Sequence, residues 1–403
     1  PTGARTIALG LSQNALARRA NLLAGLASGG LTRTEIKRYE HGGRRPVDWL
    51  PFIAGALGMS SDELTGVTDP IDAVLADLEV DVGMAIDRRT FLTDSGGLAL
   101  SALPVSPNSP VPPEAVDYFR DRLDGHWRED AVQGPRHRAT VTAQFKVLEH
   151  VAGRATGSVR RELWQTAAAW SGLATWLCQD AGQMSRAAAW SVRTLELSHR
   201  AHDAQLVAHA LANRAMLDTD IGDGPTTVEM ATAALEGNGL CAKVRVQALQ
   251  QAAHGHALLG DRAAVDHALD SALPLIDQMD DPYGWGNAPH TSSYLEIQRA
   301  TCYTRLGLGA EAVRLWDQVQ GSASRRNSGV FTARYARSLA AARRPEEAVI
   351  ALEAAIEVVA EVESARLRRE VRTAAAALSP WQHDGPGRRA HELLGSIGLT
   401  AHE

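Results

Sequence analysis

Apolar side chains return at a helical period in one segment after another, and runs of β-branched or aromatic residues are sparse. Near the N-terminus, Ala15, Leu16 and Ala20 fall on one face of a helix that starts at Leu11-Ser12-Gln13, with Ser12 placed to cap it. Thr32 caps a second helix, whose Ile36 and Tyr39 point back to a core while Arg33, Thr34, Lys37 and Arg38 ride on it. Gly42-Gly43 stops that helix, and Arg44, Arg45 and Pro46 follow. Trp49 to Leu57 is a third amphipathic run ending at Gly58, and Ser60-Ser61-Asp62-Glu63-Leu64 opens a last short helix. Ile71, Val74, Leu75 and Leu78 trace a weaker helical pattern. Ala and Leu dominate the composition, which together with these periods predicts an all-α protein.

Five prolines between Pro104 and Pro113 forbid a helix there and stiffen an extended spacer. They mark the clearest boundary in the chain and divide it into a head (1–66), a linker (67–113) and a body (114–403). In the body, Glu114–Asp130 pairs with Arg136–Ala155, Glu162–Asp180 with Ser185–His199, and Leu206–Thr219 with Thr226–Leu235. Three Ala-Ala pairs at a spacing of twelve follow: Ala252 with Ala264, Ala300 with Ala312, and Ala336 with Ala348. Each brackets a break, at Gly260-Asp261, Gly307-Leu308-Gly309 and Arg343-Arg344-Pro345. Small residues at both places let two antiparallel helices cross closely, which is the internal logic of a tetratricopeptide repeat. The body is therefore expected to be an α-solenoid of five such pairs behind the Glu114–Ala155 pair. An insert, Asp280 to His290, lengthens one repeat and carries Tyr283-Gly284-Trp285, a lid or an aromatic staple.

Charge separates the two ends. Residues 1–47 hold eight Lys and Arg against Glu35 and Glu40, a net of +6, whereas the whole chain is −6, which leaves −12 on residues 48–403. This asymmetry is what a DNA-reading head on an acidic body would show. A recognition helix needs short polar and long basic side chains for base edges, with arginines beside it for phosphates.

The head resembles the phage-repressor (XRE) type of helix-turn-helix found in actinobacterial regulators. LSQNALA is similar to the family's first helix, TRTEIKRYEHGGRRP to its recognition helix and basic exit, and WLPFIAGALGMSSDEL to its closing helices. The resemblance implies that Gln13, Thr32, Arg33, Thr34, Lys37, Arg38, Arg44 and Arg45 form the DNA-binding surface. Two departures stand out. Asn21 to Gly30 lengthens the turn, and the first helix starts later than is usual, as if residues were missing before Pro1. In the body, AWSGLATWLCQDAGQMSRAAAWSVRTLELS resembles the sensor domains that follow this DNA-binding type.

Several chemistries are not encoded. Cys178, Cys241 and Cys302 are odd in number and widely spaced, so buried thiols in a reducing cytoplasm are expected. No apolar run approaches a membrane span. Asp87-Arg88-Arg89-Thr90-Phe91-Leu92 and the apolar residues to Leu103 resemble a twin-arginine export signal. It lies behind the head, however, where such signals are not read, and is taken as a linker helix. No catalytic constellation, cofactor loop or metal-ligand spacing occurs, and His254-Gly255-His256 would splay its rings onto different helix faces.

A solenoid's concave side is its usual binding surface. The residue after each small anchor of a first helix faces it, which selects Asn213, Thr301 and Arg337, with Tyr294 and Arg305 on the same stripe. An inward Asn suits a peptide backbone, and Arg suits a carboxylate or phosphate. The expected protein is a non-enzymatic transcriptional regulator that binds double-stranded DNA as a homodimer, without membrane association, and answers a peptide or small-molecule effector. The rivals are an interaction scaffold with a vestigial head and an exported repeat protein.

Overall fold

The computed structural model describes residues 12–24, 30–40, 49–57, 110–279, 291–319 and 324–399. Among them every regular element is helical and no strand occurs. The chain divides into two compact units, one carrying the described helices up to Leu57 and the other those after Pro110.

The first unit contains α1 (Gln13–Leu23), α2 (Arg33–Glu40) and α3 (Leu50–Leu57). Ser12 caps α1 as expected, its hydroxyl accepting from the Ala15 N–H at 3.2 Å. Thr32 and Glu35 close a reciprocal box at the start of α2. The Thr32 N–H donates to Glu35 Oε2 at 2.9 Å, and the Glu35 N–H donates to Thr32 Oγ1 at 3.4 Å. Leu16, Ala20, Leu31, Ile36, Ile53 and Leu57 form the buried core, with Tyr39, Trp49 and Phe52 packed around it. Each fully buried Leu or Ile contributes about 1.5–3 kcal/mol, which is how so small a unit holds together. The long turn is clamped by one side chain: Asn21 Nδ2 donates to the Leu31 carbonyl at 2.9 Å, and the Leu31 N–H donates to Asn21 Oδ1 at 2.8 Å. Residues 58–109, with the Ser60–Leu64 helix, the Ile71–Leu78 pattern, the twin-arginine-like segment and most of the proline spacer, lie outside the described residues.

The second unit opens with α4 (Glu114–Gln133), a 3-10 turn (Gly134–His137) and α5 (Arg138–Arg154). Helical hairpins follow: α6 (Gly157–Asp180) with α7 (Met184–Arg200), α8 (Ala204–Ile221) with α9 (Gly224–Leu235), and α10 (Ala242–Leu258) with α11 (Arg262–Ile276). Then come α12 (Ser292–Arg305) with α13 (Gly309–Gln318), and α14 (Arg325–Ala341) with α15 (Pro345–Glu361). A shorter pair, α16 (Ala365–Ala376) and α17 (Gly385–Ser396), was not anticipated by the spacing of small residues. The insert at 280–290 lies outside the described residues.

Five hairpin turns share one geometry. The N–H groups of Gln183, Asp223, Asp261, Leu308 and Arg344 donate to the carbonyls of Cys178, Asp218, His256, Tyr303 and Leu339, at 2.8–3.0 Å. This six-to-one bond needs a left-handed residue just before the donor. Glycine supplies it at 182, 222, 260 and 307, and Arg343 supplies it in the fifth turn with φ +59°. In the paired helices, Thr175 and Ala187, Ala215 and Thr227, Ala253 and Val265, Ala300 and Ala312, and Ala336 and Ala348, each twelve residues apart, are all 2 % exposed or less. The pair expected at Ala252 and Ala264 is therefore one residue out. Ala264 takes the Asp261 cap in the first turn of α11 and stays half-exposed, and the helix turns Val265 inward instead.

The first helices of successive hairpins stack in order, α6 on α8, α8 on α10, α10 on α12, α12 on α14 and α14 on α16, and α16 also packs against α6. The row of first helices thus returns on itself. Arg326 on α14 joins the two ends, donating to Asp130 on α4 at 3.0 and 2.7 Å and lying 3.0 Å from Asp180 Oδ2 at the end of α6. Ser364 donates to Asp180 Oδ1 at 2.6 Å, and Trp176 Nε1 donates to Asp130 Oδ2 at 3.1 Å.

Candidate functional sites

The α2 surface presents Thr32, Arg33, Thr34, Lys37 and Arg38 to solvent, while Ile36 beneath them is buried. The split follows from the helical period: positions 33, 34, 37 and 38 share one side and 36 falls on the other. Gln13 reaches the same surface from the first turn of α1, its Oε1 accepting from Arg33 Nε at 3.4 Å. Thr32 is occupied in the cap with Glu35. Arg44 and Arg45 lie outside the described residues.

The second site is built where the first helices face one another. Arg334 on α14 donates through Nε and Nη2 to Glu370 on α16, at 2.9 and 2.7 Å. Burial alone would raise the Glu370 carboxyl, but the Arg334 guanidinium, with Arg305 and Arg369 near, holds it down at about 2. Arg369 pairs with Asp220 on α8 at 2.8 Å, and Gln179 donates to the same carboxylate at 2.7 Å. Arg366 lies 3.8 Å from Asp180 and over the Trp176 ring.

His254 on α10 is threaded into this cluster. Its Nε2 donates to Gln298 Oε1 at 2.7 Å, so Nδ1 is the acceptor and receives Arg305 Nη1 at 2.7 Å, with Cys302 Sγ at 3.3 Å. Burial, then the Arg305 charge, keeps this imidazole well below its ordinary pKa and therefore neutral. Burial pushes the Cys302 thiol up to about 12. It is an inert thiol, as the buried, free state of all three cysteines leads one to expect.

Of the five groove residues read from the sequence, four gather around Arg334 and Glu370. Thr301 is buried, donates to the Ile297 carbonyl and lies 3.5 Å from Arg334 Nη1. Arg305 holds His254, and Tyr294 is raised by burial beside Gln298, Arg366 and Arg334. Arg337 feels Glu370 and Arg334, and among the described residues it makes no side-chain hydrogen bond or ion pair. Asn213 on α8 sits apart, accepting from Gln247 on α10 at 2.7 Å.

The charges do not balance. Arg334 and Arg369 have carboxylate partners of their own, but Arg305 is bonded to a neutral imidazole and Arg366 shares Asp180 with Arg326. Burial lowers the pKa of Arg305, Arg337 and Arg366 alike. Yet Tyr294, Arg305, Arg337 and Arg366 are only part-buried by solvent access. These groups are desolvated yet still partly reached by solvent, and the cluster they form carries surplus positive charge. Arg334, Glu370, His254 and Arg366 were not picked from the sequence. Glu370 follows Arg334 by 36 residues, the offset from Ala300 to Ala336, so aligning the repeats would have paired them.

Elsewhere a cavity of about 420 Å³ opens between the end of α7, α8 and α9, lined by His199, His202, Asp203, Val207, Leu211 and Ala233 among others. Asp203 there is already engaged by Gln165 and by the N–H groups that start α8. No described helix is long and apolar enough to cross a membrane. Compared with family models and with curated proteins, the chain matches none.

Proposed function

We propose that this chain is a sequence-specific DNA-binding transcriptional regulator. In this reading the first unit is an XRE-type helix-turn-helix head, and the second is a tetratricopeptide-like solenoid that takes an anionic effector and pairs two heads as a cytoplasmic homodimer. The observation that carries it is α2, where Arg33, Thr34, Lys37 and Arg38 stand exposed on a capped helix anchored from behind by Ile36. A helix of this build fits the major groove, where Arg reads guanine and short polar groups read the remaining edges. Gln13 braces Arg33 at the groove edge.

The under-balanced arginines of the second unit support an anionic effector, either a carboxylate-bearing peptide or a small phosphate or carboxylate ligand. Two heads are needed because one small head binds weakly, and linking two half-sites multiplies affinity through effective concentration.

The test is selection of bound duplexes from a randomised DNA library by the full chain. A recovered motif is expected, with two half-sites if the protein pairs. Arg33→Ala should lose about 1–3 kcal/mol on that motif and relax one position, whereas Arg44→Ala should weaken all sequences alike and flatten the salt slope. Enrichment of no motif at moderate salt would sink the reading.

A further inference from the structure

The joint between α4 and α5 carries a cluster of its own, apart from the arginines around Glu370. His126 and Glu129 lie three residues apart on one face of α4, and the 3-10 turn brings His137 back beside them. One ligand atom from each lies within 4.8 Å of the other two. Both imidazoles are 4 % exposed, while the Glu129 side chain is 39 % exposed and gives the cluster a way in from solvent.

The surrounding hydrogen bonds leave one nitrogen lone pair bare on each imidazole. His126 Nε2 lies 2.9 Å from Gln144 Oε1, so it carries the proton and donates. That leaves Nδ1 bare, 3.3 Å from Glu129 Oε2. His137 Nδ1 lies 2.7 Å from the Gly134 carbonyl and can only donate to it. Its Nε2 is left bare, buried and without a hydrogen-bond partner. His126 Nδ1, His137 Nε2 and the Glu129 carboxylate are then acceptors with no donor of their own, on three residues whose ligand atoms lie within 4.8 Å of one another, and a shared cation resolves this. Fixing each imidazole tautomer through its outer nitrogen is how proteins orient metal-binding histidines.

We propose that His126 Nδ1, His137 Nε2 and a Glu129 carboxylate oxygen bind one divalent transition-metal ion of the Zn2+ class, with the remaining position open to water. Two imidazoles and one carboxylate suit borderline Zn2+ and disfavour Mg2+ and Ca2+, which take oxygen-rich shells. Bonds of about 2.0–2.2 Å in a tetrahedral site set ligand atoms about 3.3–3.5 Å apart. The His126–Glu129 edge is already at 3.3 Å, and with all three ligand atoms within 4.8 Å of one another the other edges need to close by at most about 1.5 Å. The ion would also pin the turn that meets α14 and α16. Arg136 on that turn pairs with Glu363 at 3.0 Å, and a Cβ added to Gly134 would lie 3.0 Å from Arg326 Nη1. Sequence spacing did not reveal the site, because His137 joins the other two only through the 3-10 turn.

The test uses the full chain, stripped with a chelator and titrated with Zn2+ alone by calorimetry and with Co2+ by visible absorption. One ion per chain is expected, with a low-coordinate Co2+ spectrum and a raised thermal midpoint. Gln144→Ala, which frees the His126 ring, should weaken binding about 10–100-fold. Glu129→Gln and His137→Ala should weaken it at least as much, and His383→Ala, at an exposed histidine, should leave it unchanged. If the buried His137→Ala variant fails to fold, the part-exposed Glu129→Gln variant carries the test, with its helicity checked by circular dichroism. No saturable uptake by the stripped protein, or equal affinity in Glu129→Gln and wild type, would overturn the proposal.

Discussion

Removing the Arg326 guanidinium should open the place where the row of helices closes on itself. Arg326 is 4 % exposed, Asp130 2 % and Asp180 0 %, so Arg326→Ala leaves Asp130 buried without its cation and Asp180 with only Arg366, at 3.8 Å. Burial disfavours the charge on Arg326, and the hydrogen bonds and charges of Asp130 and Asp180 more than restore it, raising its pKa. Breaking a buried pair by deleting one partner costs about 3–5 kcal/mol, because the orphaned charge cannot be hydrated. Residues 110–399 form a unit of roughly 290 residues, whose unfolding entropy of about 2.1 cal/mol/K per residue makes each degree worth about 0.6 kcal/mol. The midpoint measured by scanning calorimetry should therefore fall by roughly 5–8 °C. Hydrogen exchange should accelerate first at Asp130–His137 and Ser364–Leu367, the segments held by Arg326 and Ser364. A variant with Arg326→Met, Asp130→Asn and Asp180→Asn removes all three charges and should regain most of the loss. A single variant that melts within 1 °C of wild type would refute the reasoning. So would a triple variant as unstable as the single one, since the defect would then be one of packing rather than of charge.

Three further outcomes follow from single residues. Glu370 is held at about 2 against an ordinary 4.5, so its contribution is whole above about pH 4.5 and disappears as pH falls through 2. Between those limits wild type should lose on the order of 3 kcal/mol more than Glu370→Gln in acid titrations of urea stability, and parallel curves would contradict the Arg334–Glu370 pairing. Arg343 occupies a left-handed position that glycine fills in the other four turns, so Arg343→Gly should stabilise by about 0.5–1 kcal/mol in denaturant titration, and a loss would mean the Arg side chain matters more than its φ. Asn21 makes both hydrogen bonds to Leu31 that span the long turn, so Asn21→Ala should cost the first unit about 1–3 kcal/mol by urea melts of residues 1–66; no change would show that the turn holds without its clamp.

What the sequence disclosed depended on whether a feature was local. Caps at Ser12 and Thr32, the core role of Ile36 and the exposure of Arg33, Lys37 and Arg38 all follow from residues within one or two helical turns, and they stand as read. The hairpins were legible because each needs a turn residue and two small crossing residues at a fixed spacing. The Ala252–Ala264 register failed because the residue twelve after Ala253 is Val265, not an alanine, so a search for Ala pairs settles one residue early. The short last pair escaped because Ser379-Pro380-Trp381 replaces the shared turn with a 3-10 helix. Arg326 and Asp130 are 196 residues apart, and no local pattern can join them.

The residues that close the row and those of the arginine cluster follow one another along the same two helices. On α14, Arg326 holds the closure while Arg334 and Arg337 belong to the cluster, two and three turns further on. On α16, Ser364 caps the helix against Asp180 while Arg366 and Glu370 join the cluster within the next two turns. Neither helix can move enough to break one set without disturbing the other, because packed interiors shift between discrete arrangements rather than deform smoothly. In the proposed regulator, an anion that satisfies Arg305, Arg337 and Arg366 would bind the closed arrangement better than an open one. At a hundred times its dissociation constant such a ligand stabilises by about 2.7 kcal/mol. That is comparable with the low end of what Arg326 contributes, so anion binding at the arginine cluster and integrity of the closure would act on one equilibrium with similar force.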